Sequence, residues 1–325
     1  MELRKLQEDE YSSWDEFVEA SEQGSIFSKS WYLNSLGVDY SILVVEYKGR
    51  VIAGIVLAKN EINTFANPML DKYLGVVLEE GSSNRHKRES TEYKAMELIA
   101  KECKKIKSFD YYFHPNFDNW IPFYWNGFAQ RTRYTYRINY RDNSMDEIYS
   151  AFHQGIVKNN IKKGQISGAV IKQDIPYEDL WEVVNKTFLR QGSKSPFKKD
   201  KLKRYIETLY KKGAFHSWGA YFKGKCVAVT GVVYEPKSAY FLLNGIDIEE
   251  MPRGANTYMI YEAIKYFSDK SDYFDFEGSM LPGVEPLYRK FGGERVQYMQ
   301  IWNDNFFNYA KLKAKKIYKK IRYGR

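Results

Sequence analysis

Two acidic side chains, Asp275 and Glu277, alternate with Phe274 and Phe276 in the stretch FDFEGSM at 274–280. Alternation along a strand puts both carboxylates on one side, and Gly278 and Ser279 end that strand at a loop, where α/β folds keep their polar chemistry. A carboxylate so placed can take a proton from an attacking amine, the work of a general base. Asp275 reads better as a structural group holding backbone or arginine donors, which leaves Glu277 as the base or as a solvated acid. Tyr288, Arg289 and Lys290 follow in LYRKFGG at 287–293. A fixed cation there would stabilise negative charge on a carbonyl oxygen, while Tyr288 would donate a hydrogen bond or fill a core. Upstream, Arg253 and Gly254 precede Ala255, Asn256 and Thr257 at the start of a predicted helix. Glycine lets backbone approach a ligand closely, the open amides of the first turn attract an anion, and Arg253 adds a mobile cation. The same residues also make an ordinary helix start capped by Asn256 or Thr257.

Two further stretches carry candidates. IFSKSW at 26–31 offers Lys29 and Trp31, either a cation for an acceptor phosphate beside an aromatic wall or a surface lysine and a core tryptophan. TFLRQGSKSPF at 187–197 is a polar loop between two helices, with Arg190, Gln191 and Lys194 placed to meet an acceptor or an RNA end, or to serve as a connector. The four histidines have no metal-ligand partner at useful spacing, so no metal is expected. Cys103 and Cys226 sit in apolar surroundings and read as inert core residues. No GxSxG elbow occurs, so direct attack by an acceptor amine is simpler than a covalent enzyme intermediate.

The elements that must position these groups need two cores. The chain has 325 residues, enough for about two domains, and 44% apolar and 17% aromatic residues argue against broad disorder. Two cysteines exclude a disulfide scaffold. The polar, acidic start MELRKLQEDEY is unlike a secretory signal, and no apolar run approaches a membrane span. A cytoplasmic location is the expectation.

An internal echo organises the chain. YKGRVIA at 47–53 and FKGKCVA at 222–228 align without a gap, each the bend of a β-hairpin. After the first come a helix over 91–106 with Met96, Ile99, Ala100 and Cys103 on one stripe, a strand at 108–113, and a further strand at 128–140. After the second come a strand at 238–245, a helix over 256–267 with Ile260, Ala263, Ile264 and Phe267 in the same spacing, a strand at 273–278, a short helix near 284–291 and a strand at 295–302. Asp110 and Asp275 recur inside corresponding strands. Between the copies, Ser144 and Glu147 form a capping box that predicts one helix to about Lys163, carrying His153. The order of elements predicts one α/β unit made twice.

On these residues the chain resembles the tandem GNAT-fold acyltransferases, the Fem-like peptidoglycan aminoacyltransferases and their acetyltransferase-like cousins. The resemblance covers essentially the whole chain. It rests on IFSKSW, the paired hairpins, and FDFEGSM followed by PLYRKFGGERVQY at 286–298, which looks like the family's Asp-Phe-x-Gly strand end leading to a Phe-Gly-Gly turn. Where Fem-type patterns often have a lysine three residues before that phenylalanine, this chain has Tyr288. The resemblance implies an α/β (α+β) protein of two tandem GNAT-like domains, each a mixed twisted sheet flanked by helices. With the boundary read near Tyr140, they would span 1–140 on the acceptor side and 141–303 on the donor side. Outside the repeat, Phe306, Ala310, Ile317 and Ile321 on one face against lysines on the other predict a basic helix within 304–325 that packs back on the first.

It further implies acyl transfer, with acetyl-CoA or aminoacyl-tRNA as co-substrate and an amine of a glycan or peptide precursor of the cell envelope as acceptor. Arg253, Gly254, Ala255, Asn256 and Thr257, with Gly278 and Ser279, would hold the donor. Glu277, Tyr288, Arg289 and Lys290 would bound the chemistry, and Lys29, Trp31 and Arg190 would meet the acceptor.

Charge leaves a rival reading open. Fifty basic against 41 acidic residues give +9, concentrated at 158–164, 194–205 and the C-terminal stretch. Basic clusters interleaved with aromatics suit RNA or an anionic membrane surface, and also suit a merely solvated face. A non-catalytic GNAT-like protein that binds either is therefore the alternative, with peripheral contact at the inner membrane face through 304–325. A third reading keeps the transfer but gives it protein amines as acceptors.

Overall fold

The computed structural model of the protein describes residues 1–80, 85–278 and 280–303. Ser279 and the basic stretch at 304–325 lie outside the described residues. Two compact units form: Met1–Arg133 together with residues 298–303, and Tyr134–Gln297.

Unit 1 opens with β1 (Glu2–Lys5), α1 (Tyr11–Ala20), α2 (Ser30–Leu36) and the first hairpin, β2 (Tyr40–Tyr47) with β3 (Arg50–Ala58). Short strands β4 (Phe65–Ala66) and β5 (Val76–Leu78) lead to α3 (Arg85–Lys104), β6 (Phe109–Tyr112), α4 (Ile121–Trp125) and β7 (Phe128–Asn139). Strands β1, β2, β3 and β5 make one antiparallel sheet in that order. The stripe of Met96, Ile99, Ala100 and Cys103 on α3 is fully buried, as its spacing requires.

Unit 2 has α5 (Met145–Ala151), α6 (Asn159–Ile166), β8 (Val170–Gln173), α7 (Tyr177–Arg190) and α8 (Lys199–Lys211). The second hairpin, β9 (Phe215–Phe222) with β10 (Lys225–Glu235), leads to β11 (Ser238–Ile246) and α9 (Ala255–Phe267). The unit closes with β12 (Tyr273–Asp275), α10 (Glu285–Lys290) and the start of β13 (Glu294–Asn303). Its sheet runs β7, β12, β11, β10, β9, β8. Ile260, Ala263, Ile264 and Phe267 of α9 join Ala228 and Val232 of β10 in one core, while the intervening Val229 and Val233 are buried on the other face. A sheet covered on both faces follows, the layering that the apolar strands predict.

Both hairpins turn as the Lys-Gly pairs demand. Lys48 and Gly49 have φ of 52° and 77°, and Lys223 and Gly224 have 50° and 81°. Two left-handed residues are the requirement of the two-residue turn that matches strand twist, closing Tyr47 against Arg50 and Phe222 against Lys225. The copies then end reciprocally. The second half of β7 belongs to unit 2, where it pairs with β12, and the second half of β13 belongs to unit 1, where it pairs with β6.

The helix expected from Ser144 to Lys163 is two helices. The capping box forms, with Ser144 N donating to Glu147 at 2.8 Å and Glu147 N to Ser144 Oγ at 3.3 Å. At Phe152 the backbone turns extended (φ −63°, ψ 140°), which seats that ring among Tyr149, Tyr261 and Phe291. His153, expected on the helix, lies in the break, where its N–H donates to Lys290 O at 2.9 Å. A wider turn over Gln154–Lys158 then restarts the chain into α6. Burial of Phe152 outweighs helix continuity because one aromatic side chain gains more than one backbone bond.

Among the described residues, no helix is long and apolar enough to cross a membrane.

Candidate active site

The middle of unit 2 holds a parting of strands. Among the described residues, parallel β11 and β12 pair only at Ala239 with Phe274 and Tyr240 with Asp275. There β12 stops, while β11 continues to Ile246. The chain beyond β12 goes to the other neighbour, where Phe276 N donates to Tyr136 O at 3.0 Å. Asp275 anchors this end. Fully buried, it accepts from Arg137 Nε at 2.8 Å, from Thr135 Oγ1, and from Glu277 N at 2.7 Å. That is the holding role its sequence context favoured.

Glu277 departs from the expected alternation. Its φ is 56° and that of Gly278 is 64°, so the chain bends instead of extending the strand. A Cβ at Gly278 would sit 2.1 Å from Tyr134 O, so the bend lies flat against β7. The strand face shared with Asp275 is therefore lost, and the Glu277 side chain is set by the turn. Its carboxylate acts on Tyr288, whose phenol is pushed up to about 12 by burial first and by the Glu277 charge second. The Tyr288 ring stacks on Phe276 at 5.1 Å and meets Phe241 at 6.1 Å. Glu277 and Tyr288 are thus brought together at the parting. Arg289, on the same short helix, is exposed and pairs with Glu285 Oε1 at 2.9 Å, the same oxygen that accepts from the Tyr136 hydroxyl. Lys290 is half-buried, and its carbonyl carries the His153 contact.

The start of α9 differs from expectation in one respect. Gly254 is the N-cap, with φ of 91°, and neither Asn256 nor Thr257 caps the helix. The space a Cβ would take at Gly254 is filled by α6: it would lie 2.2 Å from Asn160 O and 2.6 Å from Gly164 N. A Cβ at Gly164 would in turn meet Tyr258 Cβ at 2.6 Å. This glycine is required for close helix packing, and the approach it permits is that of α6, not of a ligand. Of the first-turn amides, Ala255 N donates to Pro252 O at 3.2 Å and Tyr258 N to Gly254 O at 2.9 Å. Asn256 and Thr257 supply the remaining amides of the first turn. Arg253 is exposed beside them, and α6 brings Lys163 to the same place, its Cβ 3.1 Å from where a Gly254 Cβ would be. Lys163 was missed because its signal, a glycine inside the helical run NNIKKGQI, marks a packing site without naming the partner.

Sequence profiles match residues 156–288 to the acetyltransferase (GNAT) domain. Among solved structures, FemX superimposes with a TM-score of 0.65 at 12% identity, covering 92% of this chain and 97% of that one. A tandem GNAT protein from the clavulanic acid biosynthesis pathway does so with a TM-score of 0.55 at 13% identity, covering 93% and 97%. The fold is a tandem GNAT fold. L-PGS from Bacillus licheniformis shares it, with a TM-score of 0.53 at 11% identity over 91% of this chain and 92% of its own. No curated protein sequence matches the chain.

Within the tandem GNAT fold the two units differ where the strands part. In unit 1 the corresponding strands β5 and β6 belong to different sheets, and Leu74 N, just before β5, donates to Tyr112 O at the end of β6 at 2.8 Å. The buried ring of Phe113 fills that place, 2.6 Å from where a Gly75 Cβ would be.

The expected acceptor residues divide between the units, Lys29 and Trp31 in unit 1 and Arg190 in unit 2. Lys29 is largely covered, its side chain 12% exposed, and its ammonium pairs with Glu19 at 3.0 Å. That pairing removes the free cation expected there. Trp31 is half-buried with its ring edge-on to Tyr32. Arg190 ends α7 in unit 2 and lines a cavity of about 710 Å³ with Glu182, Lys186, Cys226 and Asp247. Cys226 is half-buried there instead of in the core, and burial pushes its thiol up to about 12. Among the described residues no cluster of three or more His, Cys, Asp and Glu is arranged to hold a metal.

Proposed function

We propose that this protein is an acyltransferase whose unit 2 holds an acyl donor and passes the acyl group directly to an amine. One observation carries the reading: β11 runs on past Tyr240 after β12 has ended at Asp275. A strand edge left without its neighbour offers backbone donors and acceptors at regular spacing to an amide-bearing arm laid along it. The pantetheine of an acyl-CoA is such an arm. Its phosphates would then reach the start of α9, where Asn256 and Thr257 amides, Arg253 and Lys163 lie. An aminoacyl-tRNA terminus is the other donor, with its phosphates at the same helix start.

At the parting, Glu277 takes the proton of the attacking amine as nitrogen bonds to the acyl carbon. Tyr288, held protonated by burial and by Glu277, donates to the departing thiolate or ribose oxygen. Positioning supplies much of the rate, since the donor is held along the β11 edge beside Glu277 and Tyr288. The acceptor class we favour is an amine of a cell-envelope or polysaccharide precursor.

Isothermal titration with acetyl-CoA and, separately, with aminoacyl-tRNA tests the donor. Binding of one of them, weakened by Arg253→Ala, is the expected result. Turnover of that donor with an amine should fall by about a hundredfold in Tyr288→Phe, with donor affinity retained. Silence with both donors overturns the reading.

A further inference from the structure

Unit 1 carries a second group of cations that the donor site does not use. Strand β13 lies between β6 and β7 there, and its Tyr298, Gln300 and Trp302 share one face. The Arg131 guanidinium lies over the Trp302 ring at 5.5 Å, and that of Arg133 over Tyr112 at 4.9 Å. Lys72 Nζ sits over Tyr298 at 5.1 Å, Tyr112 at 5.9 Å and Tyr73 at 6.0 Å. None of the three makes an ion pair among the described residues. Asp110 lies in the field of both arginines and is reached through Gln300, which donates to it at 2.6 Å and accepts from Arg133 Nε at 2.8 Å. Two arginines therefore face Asp110, and Lys72 lies over the neighbouring rings.

We infer that this face of unit 1 is a binding site for a diphosphate group, gripped by Arg131, Arg133 and Lys72. The rings do not serve as stacking platforms, because each already has a cation over it; they hold the cations in place. Gln300 fixes Arg133 through Nε and leaves the Nη edge to pair with phosphoryl oxygens, the planar two-point contact that guanidinium makes best. Three cations on one face suit a ligand with at least two negative charges. A base-stacking nucleic acid is disfavoured by the occupied rings. Arg131 and Arg133 alternate in RTRY at 131–134, a strand-period signal, but the partners that hold them come from β6 and β13. The inference stands apart from the donor reading, since none of its residues belongs to unit 2.

Titration of the full chain with inorganic pyrophosphate, with orthophosphate as comparison, tests it. Pyrophosphate should bind more tightly, and Arg131→Gln with Arg133→Gln should weaken it by about tenfold or more. Arg131 is exposed, so Arg131→Gln alone keeps the fold and should already weaken binding; Arg133→Lys keeps charge and loses the two-point contact. Saturating acetyl-CoA and Arg253→Ala should leave this binding in place. UDP and farnesyl diphosphate then separate a nucleotide source from a lipid one, whichever binds more tightly. Pyrophosphate binding lost in Arg253→Ala but unaffected at Arg131 and Arg133 overturns the site, as does absence of binding or binding of RNA in preference to every diphosphate.

Discussion

Arg137 and Asp275 face each other across β7 and β12 at 2.8 Å, with 8% and none of their side chains exposed. The pair ties the end of β12 to the strand that unit 2 takes from the first copy, and it sets where the FDFEG bend begins. Removing one partner leaves a buried charge without its counterpart, whereas removing both does not.

Asp275→Ala should therefore cost about 3 to 5 kcal/mol in urea unfolding, and Asp275→Leu combined with Arg137→Met should cost less than the single change. Equal or additive losses would mean that the two groups act separately.

The contact of α6 with α9 gives a second outcome. Gly254→Ala must place a Cβ against Asn160 O and hold a left-handed φ, so a loss of about 2 kcal/mol is expected. Gly164→Ala strikes the same interface from the other side. Thermal unfolding should show both, and the double variant should lose less than the sum because the helices will already have separated.

Tyr288 couples stability to alkaline pH. Its phenol is raised above the ordinary value, so the stabilisation it brings is fully present below pH 10.0, where the unfolded chain also keeps the proton, and fades as pH rises toward about 12. Between those limits the native protein should lose about 2 kcal/mol more than Tyr288→Phe does. Glu277→Gln should bring the phenol part of the way down, because burial persists when the charge is removed. Tyrosine-selective NMR across the alkaline range, with Tyr288→Phe to assign the signal, reads both. A phenol that titrates near 10 would separate Tyr288 from Glu277.

Cys226 should react slowly although half-buried beside a cavity. A thiol raised from 9.0 to about 12 has about a thousandfold less thiolate near neutral pH. Iodoacetamide at pH 8 should label the native protein at a correspondingly small rate. Asp179→Asn should speed labelling modestly, since Asp179 is the second cause after burial.

Local rules carried much of the architecture. The Lys-Gly turns, the two buried stripes at i, i+3, i+4 and i+7, and the Ser144–Glu147 box all depend on neighbours within one turn or one bend, so periodicity and φ preference suffice to read them. The capped helix failed at Phe152 because its ring is bound by Tyr261 and Phe291, which no local pattern announces.

From the sequence alone come a duplicated hairpin-helix-strand unit, an Asp275 that holds backbone or arginine donors, and the stretches where polar chemistry could gather. Tertiary structure decided that Gly254 makes room for α6, that Glu277 leaves the strand for a bend beside Tyr288, that Glu19 occupies Lys29, and that Arg131 and Arg133 are steadied by rings from β13 and β6. Each of these is a contact that reaches beyond one helical turn or one bend, where the partner is chosen by how strands and helices stack. Backbone propensity and spacing hold no record of that choice.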